Sequence, residues 1–337
     1  MLDNSSILIT GGTGTLGKAL TRKILANYPK VKRLVIYSRD EQKQFFMSKE
    51  FPESKYPNIR YFIGDIRDYS RLKRALNNID YVIHTAAMKH VPIAEYNPME
   101  CIKTNVLGAE NLINACFSKN IKKVVALSTD KAAAPINLYG ATKLTSDKLF
   151  IAANNIKGTN DIKFSVVRYG NVMGSNGSVI PYFISIKDKG EFPITDPKMT
   201  RFNILIDEGV DLVLYTLKHG WGGEIYVPKI PSYRITDLAK AISPTNKHKI
   251  IGLRPGEKIH EEMITSSDSF FTYDLGKYFA ILPSNPSWNI KKYISNFNAI
   301  KVPDNFSYNS GQNENFISIM NLKKLIYDQF GSKLENE

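Results

Sequence analysis

The sequence has little of what supports several common classes of protein. It contains two cysteines, Cys101 and Cys116, which form no CxxC pair, so neither a disulfide framework nor a redox motif is indicated. The five histidines lack metal-ligand spacing, and no second histidine follows His260-Glu261-Glu262 to complete a zinc motif. We therefore expect no metal and a reducing, cytoplasmic location.

Internal repeats and low-complexity linkers are also absent, and nothing resembles a secretory or membrane-spanning segment, so we expect no membrane insertion. The net charge of +13 is of the kind that attracts nucleic acid. However, no basic helix or aromatic-basic array accompanies it. We expect no nucleic-acid partner, and a positive field that steers an anionic small molecule into a site.

What is present begins with a glycine-rich turn. Residues 11–17, GGTGTLG, follow the apolar run 7–9 and precede a helical pattern with Leu16, Leu20 and Ile24 on one face. Glycines at the first, fourth and seventh positions let the backbone approach a pyrophosphate at the N-terminus of a helix. We expect a dinucleotide here, bound by Gly11, Thr13, Gly14, Thr15, Leu16 and Gly17.

The next three predicted strands end at residues suited to the same cofactor. The strand at 33–37 leads into Ser38, Arg39 and Asp40, with Lys43 one helical turn further on. Arg39 and Lys43 favour the extra phosphate of NADP, although Asp40 leaves NAD possible. Strands at 61–66 and 82–87 are expected to bring four more residues to the adenine, ribose and pyrophosphate: Asp65, Ile66, Ala86 and Ala87.

A fifth predicted strand, 123–127, ends at Thr129, Asp130 and Lys131. Ligands bind at the carboxyl ends of such parallel strands, so chemistry is expected there. The spacing Tyr-x-x-x-Lys occurs four times in the chain, but only Tyr139 and Lys143 follow the fifth strand and open a helix. Their i and i+4 positions put both side chains on one helical face, next to the strand end.

These motifs resemble the extended short-chain dehydrogenase/reductase family, and within it the inverting UDP-N-acetylglucosamine 4,6-dehydratases of bacterial pseudaminic acid, flagellin glycosylation and capsule pathways. The resemblance covers nearly the whole chain. Retaining relatives carry Met in place of Tyr139. The segments that carry the resemblance are 128–133 (STDKAA), 137–143 (NLYGATK), 168–172 (RYGNV), 200–202 (TRF) and 254–258 (RPGEK).

The resemblance implies an α/β fold, a Rossmann-type doubly wound parallel sheet with a smaller, discontinuous C-terminal substrate lobe. Residues 1–172 and about 202–227 would form the NADP-binding domain, and about 173–201 with 228–337 the nucleotide-sugar lobe. Gly174, Ser175, Asn176 and Gly177 would form the loop between them. A homo-oligomer, from dimer to hexamer, is also implied.

The implied reaction oxidises carbon 4 of the sugar, eliminates water across carbons 5 and 6, and returns the hydride to carbon 6. The product is UDP-2-acetamido-2,6-dideoxy-beta-L-arabino-hexos-4-ulose. Tyr139 would be the first base, with a pKa lowered by Lys143, which would also bind the nicotinamide ribose. Lys131, kept neutral by burial near Lys143, would take the carbon 5 proton, and Asp130, with a raised pKa, would protonate the departing hydroxyl.

The family places substrate ligands mostly in the C-terminal half. We expect Asn171 to bond the sugar or phosphate, Arg201 and Arg254 to hold the diphosphate, and Glu257 to accept from the uridine ribose. Lys89 and His90 would face the sugar, and Val179 would line the substrate site. Relatives usually carry Asn at Ala134 and an aromatic residue at Asn203, which bears on the fit of the hexosamine.

Two other functions remain open. A UDP-sugar 4-epimerase would use Tyr139 and Lys143 with NAD but would need no acid or base at Asp130 and Lys131. A catalytically silent NADP-binding regulatory protein would bind cofactor without turnover.

Overall fold

The computed structural model describes residues 2–175 and 177–335. Asn176, expected in the loop that leaves the sheet, lies outside the described residues. The strands are β1 Ser6–Thr10, β2 Arg33–Ser38, β3 Ile59–Ile63, β4 Tyr81–His84, β5 Lys123–Leu127, β6 Lys163–Val167, β7 Asn171–Val172, β8 Glu191–Ile194, β9 Thr200–Ile204, β10 Ile225–Pro228, β11 Ser232–Arg234, β12 Lys247–Ile250, β13 Glu262–Ile264, β14 Thr272–Asp274, β15 Tyr278–Ile281, β16 Ile300–Lys301 and β17 Tyr308–Asn309.

Helices alternate with the first strands and then become irregularly spaced. They are α1 Thr15–Asn27, α2 Glu41–Glu50, α3 Tyr69–Ala75, α4 Val91–Tyr96, α5 Pro98–Ile102, α6 Gly108–Phe117, α7 Leu138–Ile156, α8 Val179–Ser185, α9 Ile206–His219, α10 Ile235–Ile242, α11 Ile290–Phe297 and α12 Ile319–Glu335. None of these helices, over the residues searched, is long and apolar enough to cross a membrane.

The large sheet has the strand order β16-β14-β15-β10-β6-β5-β4-β1-β2-β3. The strands from β3 to β10 in this order run parallel, whereas β14, β15 and β16 pair antiparallel at the far edge. The order reverses between β1 and β4, which creates the crevice where doubly wound sheets bind ligands. The predicted fold class, a Rossmann-type sheet, is confirmed.

Buried apolar side chains explain why these segments form the centre of the sheet. Every residue of β1 is buried, as expected for a strand covered by helices on both faces. In α1, Leu16, Leu20 and Ile24 are buried on one face, in agreement with the helical pattern in the sequence. Strand β3 begins and ends earlier than predicted, and β4 ends at His84, so that Thr85 and the two alanines after it form a loop.

The C-terminal part contributes to both the large sheet and a second core. Strands β14, β15 and β16 extend the large sheet, although they belong to the segment assigned to the lobe. The C-terminal helix α12 packs on α10, and its Leu322 and Ile326 are buried in the second core. The division of the chain into two domains stays a prediction.

Candidate active site

The glycine turn between β1 and α1 leaves open backbone at the start of a helix. Gly11 has a φ of +63°, and a Cβ there would lie 2.8 Å from backbone atoms of Ala86. A Cβ on Gly17 would overlap the backbone of Gly12. Gly14 and Thr15 are exposed, so the amides at the N-terminus of α1 can reach an anion. This cradle fits the pyrophosphate of a dinucleotide.

The edge beyond β2 holds the residues expected to select the cofactor. Thr13 Oγ1 and Ser38 Oγ share a 2.8 Å hydrogen bond. Asp40 caps α2 by accepting from the backbone N–H of Lys43 at 2.9 Å, and its carboxylate also pairs with Lys43 Nζ at 3.0 Å. Arg39 is 61% exposed and lies 3.9 Å from Asp65. The carboxylate of Asp40 is therefore engaged by its own helix.

Asp65, Ile66, Ala86 and Ala87 lie after β3 and β4, as expected. The carboxylate of Asp65 is engaged by Arg67, whose Nη2 lies 2.8 Å away, while the Asp65 carbonyl accepts from the phenol of Tyr37 at 2.9 Å. Ile66 is buried, and Ala87 is exposed. The cofactor-binding roles of these residues stay predictions.

Thr129, Asp130 and Lys131 form a connected cluster at the end of β5. The Thr129 hydroxyl donates to Asp130 Oδ1 at 2.9 Å, and the ammonium of Lys131 donates to the same oxygen at 3.1 Å. Asp130 Oδ2 is buried and has no partner among the described residues. Burial and the charge of Glu261 raise the pKa of Asp130, against the opposing effect of Lys131. This direction is the one that a role of Asp130 as acid requires, and that role stays a prediction.

Lys131 differs from expectation. Burial lowers its pKa, but the carboxylates of Asp130 and Glu261 raise it by more, so the net shift is upward. The prediction that burial near Lys143 keeps Lys131 neutral is therefore wrong for the free protein. The physical reason is that Lys131 lies between two carboxylates, at 3.1 and 3.2 Å.

Tyr139 and Lys143 lie on the first turns of α7. Burial raises the pKa of Tyr139 to about 12, and the charge of Lys131 and a hydrogen bond with Thr129 work against this rise. Burial lowers the pKa of Lys143, opposed by the nearby carboxylate of Asp147. The cation that most favours the phenolate in the free protein is thus Lys131, rather than Lys143 as expected.

The predicted substrate ligands fall into two groups. Asn171 and Arg201 lie beside the cluster of Asp130 and Lys131: Asn171 Oδ1 accepts from Lys131 Nζ at 3.4 Å, and Arg201 Nε lies 3.8 Å from Glu261 Oε1. Arg201 Nη1 also donates to the carbonyls of Thr200 and Ile259 at 2.7 and 3.1 Å. The others lie on loops and helix starts. Arg254 pairs with Glu257 within one turn, Val179 starts α8, and Lys89 and His90 are exposed before α4.

The structure adds two residues that sequence reasoning missed. Glu261 is 3% exposed, with Oε1 3.2 Å from Lys131 Nζ. Tyr233 is buried beside Arg201 and Lys131 and hydrogen bonds Asn171. The sequence signal for Glu261 is its position three residues after the segment 254–258, which carries the family resemblance.

Ala134 and Asn203, the two residues that depart from the family pattern, both lie close to predicted site residues. Ala134 has a φ of +45° in the loop between Lys131 and Tyr139, a conformation that Asn adopts more readily than Ala. Asn203 is buried on β9, where it pairs with Asn171 of β7. The second departure therefore lies one strand away from a predicted substrate ligand.

The fold and the cluster define a nucleotide-sugar enzyme of the short-chain dehydrogenase/reductase type. Residues 7–283 match the model of the family described as polysaccharide biosynthesis protein, and the chain belongs to that family.

Individual relatives narrow this further. The chain is 54% identical over 333 residues to the UDP-N-acetylglucosamine 4,6-dehydratase (inverting) of Campylobacter jejuni subsp. jejuni serotype O:2. The alignment covers 97% of this chain and 98% of that protein. It is 42% identical over 301 residues to a UDP-glucose 4-epimerase of Rickettsia canadensis, with 87% of each covered. It superposes on the X-ray structure of Pen from Bacillus thuringiensis with a TM-score of 0.87, 39% identity and 98% and 99% coverage.

Proposed function

We propose that this protein is a UDP-N-acetylglucosamine 4,6-dehydratase that inverts carbon 5, a lyase of the hydro-lyase type. The observation that carries the proposal is the buried pair of Asp130 and Lys131 at the end of β5, joined through Thr129 to Tyr139. An acid and a base at this place are needed for elimination and not for epimerisation. The 54% identity to an inverting dehydratase supports it.

Each residue of the cluster has one task in this proposal. Tyr139 takes the proton of the carbon 4 hydroxyl, and Lys131 takes the proton of carbon 5. Asp130, whose pKa is raised by burial, is suited to protonate the departing hydroxyl. Thr129 links Asp130 to Tyr139, and Lys143 holds the cofactor ribose.

A nicotinamide dinucleotide, when bound at the glycine turn, supplies the acceptor and donor of the hydride. We propose NADP rather than NAD because Arg39 is exposed at the end of β2 while the carboxylate of Asp40 caps α2. Held by Gly11–Gly17, Ser38, Arg39 and Lys43, the cofactor would lie along the carboxyl ends of β1 and β2.

We propose Arg254 as the main diphosphate ligand and Arg201 as the lesser one. Arg254 is 66% exposed and can leave Glu257 for a phosphate, whereas Arg201 is largely engaged by backbone carbonyls. Asn171 remains a proposed contact of the sugar or phosphate, and Lys89 and His90 remain proposed contacts of the sugar. A homo-oligomer, a cytoplasmic location and a place in pseudaminic acid or capsule biosynthesis remain predictions from the family resemblance.

Incubation with UDP-N-acetylglucosamine in deuterium oxide, followed by proton NMR and mass spectrometry, tests the proposal. We expect loss of one water, entry of deuterium at carbon 5 and an L-arabino configuration. Retention of all atoms with inverted carbon 4 would instead identify an epimerase.

That second candidate, a UDP-sugar 4-epimerase with NAD, is supported by the 42% identity to the Rickettsia protein of that name. UDP-glucose in the same assay discriminates the two: an epimerase converts it to UDP-galactose, and the dehydratase proposed here does not.

A further inference from the structure

Glu261 is a buried carboxylate that has no assigned task in the proposed reaction. Its Oε1 lies 3.2 Å from Lys131 Nζ and 3.8 Å from Arg201 Nε. Its Oε2 is buried and has no hydrogen-bond partner among the described residues. A buried carboxylate is costly unless charges or hydrogen bonds compensate it, so its position against Lys131 calls for a physical reason.

Three acceptors surround Lys131 Nζ. They are Asp130 Oδ1 at 3.1 Å, Glu261 Oε1 at 3.2 Å and Asn171 Oδ1 at 3.4 Å. An ammonium has three N–H donors and no lone pair, so this arrangement matches the protonated lysine. In the free protein, Lys131 is held in the form that cannot accept a proton.

We propose that Glu261 is a positioning residue for Lys131, an inference that rests on the proposed function. Glu261 holds Nζ of Lys131 as an ammonium between two carboxylates and thereby controls when Lys131 can accept the carbon 5 proton.

The proton balance closes within the cluster. Lys131 first passes one proton to Asp130, which leaves a neutral amine and a neutral carboxylic acid. The amine then takes the carbon 5 proton while Asp130 gives its proton to the departing hydroxyl, which leaves as water. Lys131 and Asp130 end as ammonium and carboxylate, as they began. Glu261 gains and loses no proton and remains an acceptor for Nζ throughout.

Glu261 affects this sequence through its charge. Burial raises the pKa of Glu261, but Lys131 and Arg201 lower it by more, so the carboxylate stays ionised. An ionised Glu261 favours the ammonium of Lys131. The other charged and titratable groups that act on this pair are Asp130 beside Lys131, Lys258 in the loop before Glu261, Tyr139 on α7, Arg201 on β9 and Tyr233 on β11.

The decisive variant is Glu261→Gln, which keeps an acceptor oxygen and removes the charge. The readout is the rate of deuterium entry at carbon 5 as a function of pH, with wild type alongside. We expect the rising limb to move to lower pH by about one unit or more, because a charge at this distance shifts a pKa by that amount. Glu261→Asp keeps the charge on a shorter side chain, so the limb should stay in place while the rate falls about tenfold or more.

Glu262→Gln is the matched control, because Glu262 is the next residue and the charges that act on it are those of Lys258 and Asp268. It should keep both the wild-type limb and the wild-type rate. A shift smaller than about half a pH unit in Glu261→Gln overturns the inference, whatever its rate. Should that variant fail to fold by circular dichroism, Glu261→Asp decides: a wild-type rate overturns the inference, and a slowed reaction on an unmoved limb supports it.

The experiment separates this inference from the proposed function. Wild-type protein that removes no water from the sugar would refute the dehydratase itself. Wild-type protein that does so, with a Glu261→Gln profile superimposed on its own, would refute only the role of Glu261.

Discussion

The side-chain amide of Asn137 donates a 2.8 Å hydrogen bond to the carbonyl of Gly256. The same side chain caps α7, since its Oδ1 accepts from the backbone N–H of Gly140 at 2.8 Å. Asn137 thus joins the helix that carries Tyr139 to the turn that carries Arg254 and Glu257. One side chain therefore bonds the helix of the proposed first base to the turn of the proposed diphosphate ligand.

Two substitutions separate these bonds. Asn137→Ala removes both and should cost about 1 kcal/mol of stability through the lost cap. Asn137→Asp keeps the cap acceptor but places a carboxylate oxygen against the carbonyl of Gly256, so α7 should keep its cap while the turn moves away and UDP affinity falls about fivefold. Urea unfolding and calorimetric titration with UDP measure the two effects. Equal UDP affinity in Asn137→Asp and wild type would show that the turn needs no such support.

Lys131→Ala should slow dehydration severely. Loss of one positioned proton transfer lowers the rate by about 100 to 10,000-fold. Oxidation at carbon 4 should persist more strongly than water loss, which stopped-flow absorbance of the reduced cofactor and NMR of the sugar report separately. Lys148→Ala, an exposed lysine on the same helix as Tyr139, is the control and should behave as wild type. Water loss at the normal rate in Lys131→Ala would assign the base elsewhere.

Much of the fold could be predicted from the sequence, because β1 to β6 are short apolar runs that each precede a helix or end at a polar residue. The far edge of the sheet could not. Strands β14, β15 and β16 reach it by antiparallel pairing of segments far along the chain, and no local pattern specifies those partners.

The candidate site likewise has residues that could be predicted from the sequence and one that could not. Thr129, Asp130, Lys131 and Tyr139 are close in sequence and were predicted together. Glu261 was missed because it reaches Lys131 only through tertiary folding, next to β13 and far from β5 along the chain. Burial alone lowers the pKa of Lys131, whereas the charges of Asp130 and Glu261 together raise it by more, which reverses the expected state of Lys131.

Arg39→Ala tests the preference for NADP. Removal of a charged hydrogen bond to the extra phosphate should weaken NADP binding about tenfold and leave NAD binding nearly unchanged. Fluorescence titration with each dinucleotide measures this. Lys49→Ala is the control, because Lys49 is an exposed lysine in the last turn of α2, away from the end of β2, with its ammonium over the ring of Phe45. Equal weakening of both dinucleotides by Arg39→Ala would argue against a phosphate contact.

Ala134→Asn should stabilise the protein. Ala134 has a φ of +45°, which costs a residue with a Cβ about 1 to 2 kcal/mol, and Asn tolerates this conformation better. We expect a gain of about 0.5 to 1 kcal/mol in urea unfolding. Ala141→Asn, at an exposed helical position in α7, should instead lose about 0.5 kcal/mol. A loss in both variants would mean that the loop does not hold Ala134 in the left-handed region.

His84 should make the fold sensitive to acid. Burial, with a further contribution from Lys143, lowers its pKa to about 3, and its Nδ1 shares a 2.8 Å hydrogen bond with Thr10. In the unfolded chain the imidazole takes up its proton near pH 6.5. Stability from neutral His84 is therefore complete above pH 6.5 and is lost as the pH falls toward 3, by up to about 5 kcal/mol. His84→Asn should flatten this part of the pH dependence of unfolding, whereas His248→Asn on β12 should not. If both variants retain the wild-type slope between pH 6.5 and pH 4, the acid sensitivity belongs to other groups.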